Sequence, residues 1–325
     1  MKVAVLGAGA WGTALAHIVA QAQPVTLWGQ DGALLEAMAS QRRNEKYLPG
    51  VELSERITLE ADFGRALAGR DCLLLAVPSK ALREVAGRLN GFNGVLITVT
   101  KGIEFGTGLT MSAVLEELCP QASVAALSGP SLALEVARGI PTAVVVASRH
   151  SETCTTVQNL VHRPAFRTYT SNDILGVEMG GALKNVIAIG AGVCDGLGFG
   201  DNSKAALITR GLAEMRRLGV ACGARGETFS GLSGLGDLTV TCFSRLSRNR
   251  GFGERIGRGE SVGSILTSTS SVAEGYPTAR SALNLAQAKG VAAPIVAEVH
   301  AMLYEGKNPR KAVLDLMTRD QKAED

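Results

Sequence analysis

Apolar residues follow two different rhythms along this chain, and the change falls near residue 171. Before it, short apolar and β-branched runs alternate with segments of helical spacing. The runs at 2–6, 25–28, 57–59, 71–77, 94–100, 123–127, 142–147 and 166–169 predict strands. Several are apolar throughout, which is the pattern of strands buried on both faces. The stretches at 13–20, 32–40, 62–68, 79–90, 111–118, 132–138 and 153–161 predict helices, with Ser79 placed to cap its own. Strands that alternate with helices imply a mostly parallel, doubly wound sheet, which binds ligands at the C-terminal ends of its strands. Beyond Ser171-Asn172-Asp173 the period becomes helical throughout. Residues 174–193 form the most apolar stretch, rich in Gly and Ala, and predict a central helix packed closely by neighbours. Helices at 202–219, 237–242, 278–288, 297–304 and 309–317 follow, with 231–236 a glycine-rich turn.

The first predicted strand runs straight into Gly7-Ala8-Gly9-Ala10-Trp11-Gly12, and a helix follows at once. In that context each glycine has a physical task. Gly7 allows a sharp turn, Gly9 lets a pyrophosphate approach the backbone, and Gly12 lets strand and helix pack closely. The free N–H groups of the helix N-terminus would hold the phosphates. The expected fold class is therefore an α/β N-terminal Rossmann-like domain over residues 1–171, followed by an all-α C-terminal domain over residues 172–325. An acid near the end of the second strand often binds the adenosine ribose. Asp31 stands near that place, but it could equally cap the helix at 32–40. No arginine at Gly29 or Gln30 marks a 2′-phosphate site, so NAD and NADP both remain open.

Composition narrows the class. The chain has 325 residues, 46% hydrophobic and 19% charged, with a net charge of +3. That suits about two soluble domains and indicates neither a nucleic-acid nor a membrane partner. No apolar run is expected to reach a membrane span, and the N-terminus reads as a strand rather than a signal peptide, so a cytoplasmic protein is expected. The six cysteines show no metal-ligand spacing and read as free, mostly buried thiols, with no metal expected.

Candidate chemistry lies with lysines rather than histidines. His17, His150, His162 and His300 adjoin no glycine turn or polar cluster. Lys101 follows a buried strand at the ligand-binding edge. Lys184 sits inside the most apolar helix, in Gly180-Gly181-Ala182-Leu183-Lys184-Asn185-Val186. Burial would lower its pKa and suit it to proton transfer, unless it snorkels to a helix surface. Asp237 and Thr241 lie four apart and share a helix face behind a glycine-rich approach. Ser247-Arg248-Asn249-Arg250 offers a guanidinium fork with hydroxyl and amide donors, suited to a phosphate if it is not a solvated loop.

At these residues the sequence resembles the bacterial NAD(P)-dependent glycerol-3-phosphate dehydrogenases. The likeness spans nearly the whole chain, through GAGAWGTALA (7–16), TKGIE (100–104), SGPSLALE (128–135), GGALKNVIAIGAG (180–192), NSKAALITRGLAEM (202–215), GLGDLTVTC (234–242), SRNR (247–250) and VAEGYPT (272–278). It implies that Lys184 is the general acid/base acting at C2 of dihydroxyacetone phosphate or sn-glycerol 3-phosphate. Lys101 and Asp237 would hold the reacting oxygens and orient it. Gly129, Ser131, Ser247, Arg248 and Asn249 would complete the substrate site, with Asn185 and Thr241 helping to grip the phosphate. Besides the glycine loop with Ala10, the cofactor would meet Trp11, Gln30, Lys101, Ala133, Arg248, Val272 and Glu274. The resemblance also implies NAD or NADP as cofactor, a role in phospholipid synthesis and a homodimer. Two departures stand out: Gly29-Gln30, where many relatives carry a basic residue, and Leu132, where many carry an aromatic one. A reductase of another hydroxy acid would need a carboxylate grip instead, and a non-catalytic dinucleotide sensor would have no use for both lysines.

Overall fold

The computed structural model describes residues 1–269, 272–321 and 323. Its strands are β1 (Val3–Leu6), β2 (Val25–Trp28), β3 (Arg43–Asn44), β4 (Leu48–Glu52), β5 (Ile57–Glu60), β6 (Cys72–Leu75), β7 (Val95–Thr98), β8 (Ser123–Ser128), β9 (Thr142–Ala147) and β10 (Phe166–Ser171). Eight of them form one sheet in the order β10-β9-β8-β7-β6-β1-β2-β5, while β3 and β4 make a separate hairpin. Every pairing in the large sheet is parallel except β8 with β9, which is antiparallel. In β1, Val3 and Val5 enter the core on one face, while Ala4 and Leu6 enter the core on the other. A strand covered on both faces can therefore be apolar at every position.

The flanking helices are α1 (Ala10–Ala20), α2 (Gly32–Gln41), α3 (Phe63–Leu67), α4 (Ser79–Gly87), α5 (Met111–Leu118), α6 (Ala133–Ala137) and α7 (Ser151–Val161). After β10 the described chain is helical: α8 (Ile174–Gly196), α9 (Asp201–Ala221), α10 (Asp237–Phe243), α11 (Arg248–Gly257), α12 (Val262–Ser268), α13 (Gly275–Ala288), α14 (Pro294–Tyr304) and α15 (Pro309–Met317). Asp173 caps α8 by accepting the Gly176 N–H at 3.0 Å. The same carboxylate takes the Arg225 N–H and the Thr228 hydroxyl, so it also ties down the turn Gly226–Ser230.

Helix α8 is the axis of the second core. Contrary to the sequence expectation, it is long and apolar enough to cross a membrane, with a mean hydropathy of 1.4. That apolar window is instead 94% buried within the protein. Its glycines explain how neighbours come so close. A Cβ on Gly192 would lie 1.9 Å from the Arg250 carbonyl oxygen, and one on Gly253 would lie 1.9 Å from that of Ile189. Helices α8 and α11 thus touch backbone to backbone.

Several local expectations are corrected. The hairpin β3–β4 arises from a polar stretch that carries no strand signal. Helix α11 forms where a basic turn was read, because Ser247 caps it by accepting the Arg250 N–H at 3.2 Å. Helix α12 was also missed, α13 starts at Gly275 rather than residue 278, and 232–236 forms a π-type turn leading into α10. All six cysteines are free, five of them buried. Among the described residues no group of three or more His, Cys, Asp and Glu is arranged to hold a metal.

Candidate active site

The order of the strands reverses between β1 and β6, which run parallel, and the crevice outside their C-terminal ends holds the glycine loop. Gly7 has φ +122°, which favours glycine, and a Cβ there would meet the Ala76 carbonyl oxygen at 2.5 Å. A Cβ on Gly12 would strike the Gly7 carbonyl oxygen at 1.9 Å, so helix α1 can leave the turn only because Gly12 has none. Gly9 differs: nothing lies within 4 Å of where its Cβ would be. It occupies the N-cap of α1, and no side chain caps the helix. A bare N-terminus above open space suits a diphosphate, so these residues fit a dinucleotide. Trp11 packs against Phe166 at 6.5 Å between ring centroids, with its Nε1 buried and unpartnered. Ala133 joins Trp11 in a small apolar cluster. Gln30 is exposed just past β2. Asp31 caps α2 by accepting the Leu34 N–H at 3.0 Å and pairs with Lys46 at 3.1 Å, so both its oxygens are engaged.

The reactive cluster forms where β7 and β8 end beside α8 and α10. Lys101 Nζ donates to Asp237 Oδ2 at 2.5 Å, to the Gly129 carbonyl at 2.9 Å and to Ser131 Oγ at 3.3 Å. Lys184 Nζ lies 3.0 Å from Asp237 Oδ1 and donates to Thr241 Oγ1 at 2.7 Å. Thr241 in turn donates to the Asp237 carbonyl, one helical turn back, at 2.6 Å. One carboxylate therefore joins two ammonium groups from opposite domains. The side chains of Lys184 and Asp237 are only 7% and 2% exposed, whereas Lys101 keeps 17%. Burial pushes the Lys184 pKa down to about 8; Asp237 opposes that shift, and the Lys101 charge adds to it. Gly181 lies against the arrangement: a Cβ there would meet Ser128 Oγ at 2.5 Å and touch the Lys101 stem at 3.5 Å.

A second cluster adjoins the first through Asn185. Its Nδ2 donates to the Gly181 carbonyl, and its Oδ1 accepts Asn249 Nδ2 at 2.9 Å. Asn249 Oδ1 accepts the Gly275 N–H at 2.9 Å, tying α8, α11 and α13 together. Next to Gly275, Glu274 reaches across to the sheet domain. It accepts the Ser79 N–H at 3.0 Å and the Ser79 hydroxyl at 2.5 Å. Ser79 does not cap α4 with its side chain, because the hydroxyl is spent on this bridge. Its position at the end of β6 was the available signal, but a serine there reads just as well as a cap. Burial raises the Glu274 pKa, against the bonds from Ser79 and the charge of Arg248. Arg248 remains exposed, while burial among its neighbours lowers its pKa and Glu274 opposes that shift. Arg250 is held elsewhere, 2.6 Å from Asp195. Val272 is half-buried just before Glu274.

Two concavities lie away from this chemistry. One of about 440 Å³ runs along the β9–β10 edge beside Leu232 and Ser233. Another, of about 370 Å³, lies between α2 and the β3–β4 hairpin. The convergence of buried charges, rather than cavity size, marks the site.

Fold and site together define a dinucleotide-dependent oxidoreductase of two domains. Family models then narrow the class. The model for the N-terminus of NAD-dependent glycerol-3-phosphate dehydrogenase matches residues 2–154, and that for the C-terminus matches residues 173–314. The chain belongs to this family. It is 47% identical to the glycerol-3-phosphate dehydrogenase (NAD(P)+) of Citrifermentans bemidjiense, over 99% of this chain and 98% of that one. It is also 47% identical to the enzyme of that name from Myxococcus xanthus, over 100% and 99%. Among solved structures, the glycerol-3-phosphate dehydrogenase of Coxiella burnetii superposes with a TM-score of 0.95 at 38% identity, covering 98% of this chain and 99% of that one.

Proposed function

We propose that the enzyme interconverts dihydroxyacetone phosphate and sn-glycerol 3-phosphate, with Lys184 as the general acid/base. The observation that carries this reading is a buried lysine with a pKa near 8, coupled through Asp237 to a second lysine at a strand end. A group with that pKa holds and releases a proton near neutrality. When bound, the nicotinamide supplies the hydride to C2 in reduction and accepts it in oxidation.

Lys184 gives its proton to the C2 oxygen as the carbonyl is reduced and recovers one from solvent. In oxidation, neutral Lys184 takes the C2 hydroxyl proton. Lys101 exchanges its longest bond, the 3.3 Å one to Ser131 Oγ, for the same oxygen and stabilises its alkoxide character. Asp237 and Thr241 fix the direction of the Lys184 amine through the bonds described above. Gly129 and Ser131 set the position of Lys101. Ser247, Arg248 and Asn249, at the N-terminus of α11, receive the phosphate. Asn185, engaged at both ends of its amide, orients Asn249. Holding the phosphate, which takes no part in the hydride transfer, places C2, so its binding energy lowers the barrier.

The cofactor is NADH or NADPH, held by the glycine loop with Ala10 and Trp11, and further along by Gln30, Lys101, Ala133, Arg248, Val272 and Glu274. We place the enzyme in the cytoplasm as a homodimer, supplying sn-glycerol 3-phosphate to phospholipid synthesis. The direct test follows NADH and NADPH oxidation separately, with dihydroxyacetone phosphate and with a panel of keto acids. Turnover with the phosphate ester is expected. Turnover with keto acids alone would replace the substrate assignment, and binding without any turnover would leave a dinucleotide sensor.

A further inference from the structure

The hairpin that the sequence did not announce carries a fully buried amide. Asn44 is 0% exposed, and every polar atom of its side chain is used. Its Nδ2 donates to the Ala8 carbonyl oxygen at 2.9 Å and to Thr13 Oγ1 at 2.8 Å. Its Oδ1 accepts the Tyr47 N–H at 3.2 Å, which closes the hairpin's own turn. Ala8 lies inside the glycine turn, between Gly7 and Gly9. Thr13 lies in the first helical turn of α1, where its N–H donates to the Gly9 carbonyl at 2.9 Å. One side chain thus joins the turn before the helix N-terminus to the helix turn after it.

From this geometry we infer that Asn44 is a positioning residue for the dinucleotide: it fixes the N–H groups of residues 9–12 that face the diphosphate. Backbone bonds hold the flanks of the glycine loop, from the Gly7 N–H to the Trp28 carbonyl and from the Thr13 N–H to the Gly9 carbonyl, both at 2.9 Å, and Asn44 adds a side-chain tie at its centre. Gly9 has no side chain, and no side-chain cap restrains the start of α1. Glycine-rich backbone must be ordered before it can bind an anion, and order imposed beforehand does not have to be supplied on binding. Both donors of the amide go to the loop and helix, whereas its acceptor serves only the hairpin. Aspartate keeps that acceptor, lacks the donors, and sets a negative charge against the Ala8 carbonyl and the incoming phosphates.

This inference rests on the dinucleotide reading, and direct binding separates the two. NADH affinity is measured by fluorescence titration, with thermal unfolding recorded alongside, for wild type, Asn44→Asp and Leu53→Ala. Leu53 follows β4 and is buried in the sheet core, so its truncation weakens the hairpin's anchorage without touching the amide. Asn44→Asp should raise the Kd for NADH about tenfold or more, the scale of a lost buried hydrogen bond to a loop that must then be ordered on binding. KM for NADH should rise in parallel, while kcat at saturating NADH stays near the wild-type value. Leu53→Ala should lower the unfolding temperature and leave the Kd unchanged. Wild-type affinity in Asn44→Asp would overturn the inference, as would an equal loss of affinity in Leu53→Ala. Should Asn44→Asp not fold, Thr13→Val carries the test: it removes one of the two acceptors, so weaker NADH binding is expected, and unchanged binding overturns the proposal. Failure of the wild-type enzyme to bind either NADH or NADPH would count against the dinucleotide reading itself; if it binds NADPH alone, the same titrations are run with NADPH.

Discussion

Replacing Asp237 with asparagine keeps the shape of the site and removes the one charge shared by its two lysines. The carboxylate lies 2.5 Å from Lys101 Nζ and 3.0 Å from Lys184 Nζ. At an effective dielectric of about 20, a pair at that second distance has a gross attraction of roughly 5 kcal/mol. Its loss favours neutral Lys184, whose pKa is already pushed down to about 8 by burial. An opposite charge this close shifts a pKa by about 1–3 units, so that of Lys184 should fall to between about 5 and 7. Its protonated fraction at pH 7 would then drop from about 0.9 to between about 0.5 and 0.01. Reduction needs the ammonium form, so its alkaline limb should move toward acid by the same interval. The assay is the pH profile of kcat/KM for dihydroxyacetone phosphate, which reports the free enzyme's acid. Coincident alkaline limbs in wild type and Asp237→Asn would refute Lys184 as the proton donor.

Four further outcomes are expected. Lys184→Ala should lose about 10²–10⁴ in kcat, the usual share of a general acid, while NADH fluorescence titration shows binding intact. Arg248→Ala should raise KM for dihydroxyacetone phosphate about tenfold or more with a smaller change in kcat, as expected for a lost charge-assisted bond and measured by steady-state kinetics. Gly192→Ala would set a Cβ 1.9 Å from the Arg250 carbonyl oxygen; forcing α8 and α11 apart should cost about 1–3 kcal/mol, read as a lower unfolding temperature. Burial raises the Glu214 carboxyl from 4.5 to about 7, despite bonds from the Ile295 and Val296 N–H groups. The folded state then holds the proton more tightly than the unfolded one. Its stabilising contribution is full below about 4.5 and is lost as pH rises to about 7, a fall of roughly 3 kcal/mol that Glu214→Gln should flatten in urea unfolding across that range.

What the chain revealed by itself follows from where each residue's signal comes from. The runs at β1 and β6 are apolar at every position because both faces of the central strands are covered, and that survives in sequence alone. The glycine loop was legible for a similar reason, since a turn that cannot tolerate a Cβ leaves glycines at fixed spacing. Lys184 stood out as a charge within an apolar helix. The hairpin at 43–52 was not legible, because its strands are short and its hold depends on Asn44 and on Leu48 and Val51 reaching the α1–α6 cluster. Helix α11 was hidden by its glycines and arginines, which read as a loop until α8 is laid against them. The antiparallel pairing of β8 and β9 was also invisible, since an apolar run does not encode the direction of its neighbour.

Sequence alone therefore determined the alternation of strands and helices, the change to an all-helical rhythm, and the residue types able to hold a dinucleotide and move a proton. These are properties of period and composition, carried by neighbours along the chain. Tertiary structure decided which charges meet. Lys101 and Asp237 are 136 positions apart, and Ser79 and Glu274 are 195 apart, yet each pair is in direct contact. Lys184 has its low pKa because the fold buries it and sets the Lys101 charge nearby, with Asp237 opposing both. Burial and Coulomb interaction depend on distance through space, and only the folded chain sets that distance.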